Sequence, residues 1–399
     1  MFSIRKINQD ITYVGADDRR LELFENMFPI PRGVSYNSYL IEDEKTALLD
    51  TVDASVGRQF FENLAAALHG RALDYLIINH MEPDHCALIG EVLLRYPDVK
   101  IVTNQKSFQM MTQFFDITAE GAQPILVKEG DELDLGKHKL TFVFAPMVHW
   151  PEVMMTYDAT DKILFAADAF GTFGTNNGQI FNDEIDYKAD SFVADARRYY
   201  TNIVGKFGTQ VQAALKKAAS VDIKMLCPLH GPIWRTDLGF ILDLYQKWSG
   251  YQAEEQGVVV FYSSVYGNTE SAVNGLVMRM AEKGVPDIKV YDVSKTDISY
   301  LIAETFRYPV MVIAATTYNA GIFPKMENLL SDMKALNVQN KKVAVMENGT
   351  WAPTCGKAVM EKLGELKNVE IIGQKLTMKS CLRDENALDE LASEIAAAL

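Results

Sequence analysis

Residues 74–85 read Asp74-Tyr75-Leu76-Ile77-Ile78-Asn79-His80-Met81-Glu82-Pro83-Asp84-His85. The first six make a short apolar strand that runs into a turn. The next six place His80, Glu82, Asp84 and His85 on the loop at the strand's carboxyl end. Alternate residues of an extended segment point the same way, so His80, Glu82 and Asp84 are expected to converge, with His85 turned toward a second ion. A solvated loop with two surface histidines is the plain alternative, and the density of ligand types speaks against it.

Three more polar residues follow apolar strands. His149 comes after the strand at 140–145 and Met147-Val148. Asp168 ends the apolar run 163–167. His230 follows 223–226 and Cys227-Pro228-Leu229, and precedes Gly231-Pro232. The chain has six histidines, and four of them fall at these positions. His69 and His138 have no such setting and are expected at the surface. Together His80, Glu82, Asp84, His85, His149, Asp168 and His230 form a hard, anionic donor set. Such a set suits iron, which changes oxidation state. Zinc does not.

Around this site the first 250 residues mix strands and helices irregularly. Strand-like runs lie at 11–14, 38–41, 46–49, 75–78, 100–102, 140–145, 153–157 and 163–166. Helical periodicity appears near 55–68, 87–95, 105–114, 189–218 and 237–249. Strands without an intervening helix, at 35–51 and 138–168, point to an αββα sandwich of two mixed or antiparallel sheets. Phe173, Trp150, Tyr199 and Tyr200 are candidates to line the site, the two tyrosines being expected mainly to pack within the helical layer.

Beyond 250 the pattern changes. Strands at 258–262, 289–292, 310–314, 342–346 and 370–372 alternate with helices near 269–283, 297–305, 325–336, 355–365 and 384–398. That is a doubly wound parallel sheet. The polar segment 249–257 marks the boundary, giving domains 1–250 and 251–399. Three loops follow strands of this sheet. Ser263-Ser264-Val265-Tyr266-Gly267-Asn268-Thr269 leads into a helix and forms a nest of hydroxyls and backbone N–H groups for a phosphate. It has one glycine and no lysine, so it is neither a Walker loop nor GxGxxG. Thr316-Thr317-Tyr318-Asn319-Ala320-Gly321 and Asn348-Gly349-Thr350-Trp351 lie at the same sheet edge, where ligands of such folds bind. Tyr318 and Trp351 are candidates to contact a flavin ring, unless they are plain loop anchors.

Composition narrows the function. The 399 residues suffice for two domains, possibly three. With 48% hydrophobic and 23% charged residues, bulk disorder is excluded. The first 250 residues carry 24 basic and 34 acidic side chains and the remainder 15 and 19, net charges of −10 and −4. Neither half offers a basic face for nucleic acid. No apolar run is long enough to span a membrane. The N-terminus lacks the apolar core of a signal peptide. Four unpaired cysteines suit a reduced, cytoplasmic setting.

The HxExDH loop with His149, Asp168 and His230 resembles the metallo-β-lactamase superfamily, whose dinuclear hydrolases carry HxHxDH. Glu82 stands where they have a histidine, which points from hydrolysis toward redox chemistry. The loop at 263–269 resembles the phosphate loop of flavodoxins, which bind FMN. Together the halves resemble the flavodiiron proteins (A-type flavoproteins, the rubredoxin:oxygen and nitric oxide oxidoreductase family). The marks are HMEPDH at 80–85, VHWPE at 148–152, AADAFGTFG at 166–174, PLHGPIW at 228–234, SSVYGNT at 263–269 and TTYNAGIFP at 316–324.

This resemblance implies a metallo-β-lactamase-like diiron domain and a flavodoxin-like domain of strand order 2-1-3-4-5, in the two-domain form with no fused rubredoxin. It implies FMN and two iron ions, one on His80, Glu82 and His149, the other on Asp84, His85 and His230, with Asp168 bridging. It implies reduction of O2 to water and/or NO to N2O, protecting against oxidative or nitrosative stress. A rubredoxin is the implied electron donor, and the implied assembly is a head-to-tail homodimer or a dimer of dimers. Two other readings stand beside it: a zinc-dependent hydrolase with an attached flavodoxin-like module, and a flavin electron carrier on an inert scaffold.

Overall fold

The structure is a computed structural model that describes residues 1–117 and 124–399. The chain divides into two compact units, Met1–Tyr200 with Thr209–Gln246, and Thr201–Gly208 with Lys247–Leu399.

The first unit is built on two sheets. One runs in the order Arg5–Lys6, Ile11–Tyr13, Tyr39–Glu42, Thr46–Leu49, Tyr75–Ile77, Lys100–Asn104, Ile125–Val127. The other runs Glu132–Asp134, Lys139–Phe144, Met154–Asp158, Ile163–Phe165, Met225–Cys227. Leu49, Ile77, Val102, Phe142, Met154 and Phe165 belong to one buried cluster drawn from both sheets. That shared apolar layer buries the inner face of each sheet, and strands buried at successive positions, such as Thr46–Leu49, are covered on the outer face as well. Helices Gly57–Leu68, Ile89–Arg95 and Gln105–Phe114 each connect strands of the first sheet. Asn104 caps the last of these, its side chain accepting from Lys106 and Ser107 N–H. The single helix expected over 189–218 is interrupted. Asp190–Tyr199 gives way to a π-turn at Tyr200–Val204 and a short 3-10 turn before Gly208–Ala218.

The second unit holds a parallel sheet in the order Ile288–Asp292, Val258–Tyr262, Val310–Tyr318, Gln339–Asn348, Lys367–Ile371. This is the 2-1-3-4-5 order. Val258–Tyr262 is buried at every position, as a central strand covered on both faces requires. Both architectures are those the sequence implies. No helix among the described residues is long and apolar enough to cross a membrane.

His138 corrects the sequence reading. It is fully buried. Its Nδ1 lies 2.8 Å from Asp158 Oδ2 and its Nε2 3.3 Å from Asp10 Oδ2, while its N–H donates to Asp43 at 2.7 Å. Asp10 and Asp43 flank strands of the first sheet and Asp158 ends a strand of the second, so His138 staples the sandwich. Burial alone would push the imidazole down, yet the hydrogen bond it donates to Asp158 and the nearby carboxylates hold it above its ordinary value. A raised folded value means the stabilisation is complete below the unfolded value of about 6.5 and is lost as pH rises through the folded one. His138→Leu leaves the buried Asp158 carboxylate without its imidazole partner and is expected to cost about 3–5 kcal/mol at acid pH. The difference in thermal stability between wild type and variant should shrink as pH rises from about 6 to about 9. A constant difference across that range contradicts the staple.

Candidate metal centre and flavin pocket

At the other end of the sandwich the strand Tyr75–Ile77 delivers the HMEPDH loop. Asp50, itself at a left-handed φ of 54°, holds the loop's root. Asn79 and His80 N–H donate to Asp50 Oδ1 at 2.7 and 3.3 Å, and the Asn79 amide donates to Oδ2 at 2.8 Å. The extended run ends sooner than expected. Glu82 is the last extended residue, and Pro83–Cys86 coils into one helical turn with proline at its start. His80 and Glu82 therefore face one way and Asp84 turns away with His85.

Two clusters result. His80, Glu82, His149 and Asp168 bring one ligand atom each within 4.8 Å of one another, and so do Asp84, His85 and His230. Asp168 joins them. Its Oδ2 lies 3.3 Å from His80 Nε2 and 3.2 Å from His149 Nε2, while its Oδ1 lies 3.1 Å from His85 Nε2 and 3.8 Å from His230 Nε2. All seven side chains are buried. The backbone just ahead of His149 and of Asp168 is strained, with Met147 at φ 65° and Ala167 at φ 50°. Strain of this kind costs about 1–3 kcal/mol per residue and gathers at functional sites.

The donor atoms fit cations and fit little else. Both oxygens of Asp84 and both of Asp168 are buried without a hydrogen bond, a costly state for carboxylates unless positive charge faces them. His85 Nε2 and His230 Nε2 point at each other across 3.0 Å. Two of the outer nitrogens are occupied: His80 Nδ1 meets Glu152 Oε1 at 2.8 Å and His230 Nδ1 meets the Ser35 carbonyl at 2.7 Å. Each ring thus turns Nε2 inward as a ligand, the arrangement of metal-bound histidines. Burial would push the His80 and His149 rings down, but Asp168 with Glu82 raises them, His149 to about 9. Burial opposes ionisation of Glu82 and Asp168, and the surrounding histidines nonetheless hold both low.

Aromatic rings wall the cage. Trp150 meets His80 edge-on at 5.5 Å, and Phe24, Tyr36 and Tyr199 pack on His230 at 5.5, 5.7 and 5.4 Å. Tyr199 also packs on Phe173 at 5.3 Å. It belongs to the wall of the site and not only to its helix, whereas Tyr200 meets Tyr245 edge-on at 5.0 Å. Asp50 lies outside every motif, and Glu152, though it ends the VHWPE motif, has no role that spacing assigns; each orients a ligand through a contact made only in the fold.

In the second unit a cavity of about 360 Å³ opens at the carboxyl edge of the sheet, lined by Ser264, Val265, Tyr266, Asn268, Thr269, Thr316, Thr317, Tyr318, Asn319, Asn348, Gly349, Thr350 and Trp351 with Ala320, Ala352 and Ser380. Ser263, Gly267 and Gly321 stand behind it. Ser263 Oγ accepts Thr316 N–H at 3.0 Å, and Gly267 adopts a φ of 89° at the start of the helix Asn268–Glu282. Gly321 pairs with Tyr318 in a two-residue strand. Thr269 Oγ1 lies 3.0 Å from Thr316 Oγ1 and accepts from Asn348 Nδ2 at 3.2 Å, so one polar chain ties the three loops. A fourth loop joins them through Ser380, whose N–H donates to Asn348 Oδ1 at 2.9 Å. Tyr266 and Trp351 are 93% and 91% exposed. They anchor nothing in the core, and their faces are free for a planar ring. The helix's first N–H groups have no partner within the helix and suit a phosphate.

The sequence matches the model of a family described as ODP family beta lactamase over residues 34–231. It is 32% identical over 351 residues to an anaerobic nitric oxide reductase flavorubredoxin of Aeromonas hydrophila, covering 86% of this chain and 70% of that one. The chain belongs to the flavodiiron protein family. The fold agrees along the whole length. Rubredoxin oxygen:oxidoreductase from Desulfovibrio gigas superposes with a TM-score of 0.92 at 28% identity, covering 99% of this chain and 98% of the other. The flavodiiron protein of Giardia intestinalis gives 0.90 at 25% identity, covering 100% and 98%. The family resemblance of the motifs is thereby borne out, and with it the reading as an oxidoreductase. This flavodiiron chain departs from the hydrolase pattern at Glu82, the residue whose Oε2 meets His149 Nε2 at 2.9 Å.

Proposed function

We propose that this protein is a flavodiiron reductase of O2, NO or both. The observation that carries the reading is Asp168, a buried carboxylate with one oxygen toward each histidine cluster. His80, Glu82 and His149 would hold one iron, Asp84, His85 and His230 the other, and Asp168 would bridge them. The loops around Ser264–Thr269, Thr316–Asn319 and Asn348–Trp351 would hold FMN. When bound, FMN and two irons together store the four electrons needed to reduce O2 to water, or serve the two-electron reduction of an NO pair to N2O.

The chain's own contribution is placement and exclusion. Glu152 and the Ser35 carbonyl fix the tautomers of His80 and His230, so each Nε2 keeps its lone pair for metal. Phe24, Tyr36 and Trp150 keep the cage apolar outside its ligands, which strengthens electrostatic interactions within it. The Tyr199 hydroxyl is buried without a partner, and its ring lies against His230. It supplies a hydrogen-bond donor to a small molecule in the site. The electron donor is a rubredoxin-type protein, and the active assembly is a cytoplasmic head-to-tail homodimer or dimer of dimers, in keeping with the motifs.

Metal and flavin analysis tests the reading. Protein grown with ample iron should contain about one FMN and about two irons per chain. Two zincs without iron would instead favour the hydrolase, and FAD in place of FMN would overturn the pocket assignment.

A further inference from the structure

A buried ion pair stands next to the residues that line the flavin pocket. Glu347 is the last but one residue of the strand Gln339–Asn348 and is only 1% exposed. Both of its oxygens are used. Oε1 accepts from the Lys375 ammonium and from the Thr377 hydroxyl, the latter at 2.8 Å, while Oε2 accepts Gly356 N–H at 2.8 Å. A carboxylate this deeply buried stays charged only with such partners. Gly356 leaves no room for a side chain beside it. A Cβ there would lie 2.6 Å from Glu347 Oε2 and would also meet Lys375 Cδ.

The partners of Glu347 come from two segments of the pocket's rim. Gly356 lies in the first turn of the helix Cys355–Leu363, whose N-terminal residue Thr354 makes no side-chain cap. The Glu347 carboxylate supplies the missing acceptor, at the end of the helix that favours negative charge. The same turn clasps the loop that carries Tyr318. Thr354 and Cys355 N–H donate to Thr317 Oγ1 at 3.1 and 3.2 Å, and the Thr354 hydroxyl donates to the Ala320 carbonyl at 3.0 Å. Thr377 lies in the strand Leu376–Met378, which pairs with Met346–Asn348 and leads to Ser380. The loop with Gly349 and Trp351 runs between Glu347 and Gly356, so one carboxylate closes that loop at its base. All three partners lie on segments other than the phosphate loop at 263–269, whose own turn is closed by Gly267 N–H donating to Ser264 Oγ at 3.0 Å.

We infer that Glu347, paired with Lys375, is a positioning residue for the flavin ring. It fixes the loops of Tyr318 and Trp351 in one arrangement and leaves the phosphate seat to residues 263–269. The inference rests on the flavin-pocket reading above.

Titration of FMN and of riboflavin into the flavin-stripped, full-length protein tests it, because riboflavin has the ring without the phosphate. Glu347→Ala should weaken both flavins by about 10-fold or more and leave the ratio of their affinities at the wild-type value. Glu347→Gln keeps an acceptor for Gly356 N–H and a donor for the Thr377 hydroxyl, while Lys375, its side chain 27% exposed, turns to water. It should recover most of the loss. Gly356→Ala crowds the ion pair without removing either charge and adds a better helix former. It carries the same expectation as Glu347→Ala should that variant fail to fold. A general loosening of the unit would cost FMN more than riboflavin, since the phosphate contacts would go as well, and glutamine would not rescue it. That result, a loss confined to FMN, or wild-type affinity for both flavins in Glu347→Ala and Gly356→Ala, overturns the role of Glu347 and leaves the pocket reading intact. A wild type that binds no FMN defeats the pocket reading itself, before any variant is compared.

Discussion

Glu82→His strips the protein of iron and leaves its flavin in place. The substitution recreates the HxHxDH loop of the zinc hydrolases at the position where Glu82 Oε2 now meets two imidazoles. It removes one negative charge from the cage and replaces a hard oxygen donor by a softer nitrogen, which shifts preference from iron toward zinc. We expect iron occupancy to fall by at least about 10-fold, zinc occupancy to rise, and gas reduction to disappear. FMN content should stay at the wild-type level, because the flavin pocket is built from residues 264–380 of the other unit. Metal and flavin analysis of both proteins from one iron-supplemented growth decides it. Unchanged iron in the variant would mean that Glu82 is not a ligand.

Gly349→Ala produces the converse phenotype, loss of flavin with iron retained. A Cβ at Gly349 would sit 2.7 Å from Pro353 Cα, 2.8 Å from Pro353 N and 2.9 Å from the Ala352 carbonyl. All three are backbone atoms, so no side chain can swing aside and the turn carrying Thr350 and Trp351 must open. Overpacking of this kind costs about 1–3 kcal/mol. Expressed as flavin affinity that is about 5- to 150-fold. Fluorescence titration of FMN into the flavin-stripped protein measures it. Wild-type affinity in the variant would show that the loop at 349–353 does not shape the flavin pocket.

The contrast between the halves explains what the sequence discloses. In the second unit the strands are continuous apolar runs and the helices alternate with them, so the reading over 258–262 coincides with the observed Val258–Tyr262. In the first unit the pieces missed are two- and three-residue strands, among them Arg5–Lys6, Ala16–Asp18, Leu23–Phe24, Phe28–Pro29, Ile125–Val127 and Glu132–Asp134. No periodicity exists over so few residues, and their pairing is set by partners distant in the chain. His138 was misread for the same reason. It lies in the polar stretch Gly136-Lys137-His138-Lys139, which looks like a solvated turn, while its partners Asp10, Asp43 and Asp158 come from elsewhere.

The metal cage was legible because its donors cluster at strand ends, and four of six histidines lie there. Its supports were not. Glu152 and Asp50 are single acidic residues whose roles depend on where side chains meet in space. Pro83 carried a signal that alternation overrode. A proline at the first position of a helical turn ends the extended run at Glu82 and sends Asp84 to the second cluster.

Consumption of O2 and of NO by the fully reduced protein, followed in parallel on one sample of known iron and FMN content, tests the central claim most directly. The account predicts catalytic loss of at least one gas, to water without accumulated hydrogen peroxide or to N2O. It also predicts that Asp168→Ala, which removes the carboxylate facing both clusters, abolishes the reaction. A protein replete in iron and FMN that consumes neither gas when supplied with electrons would contradict it.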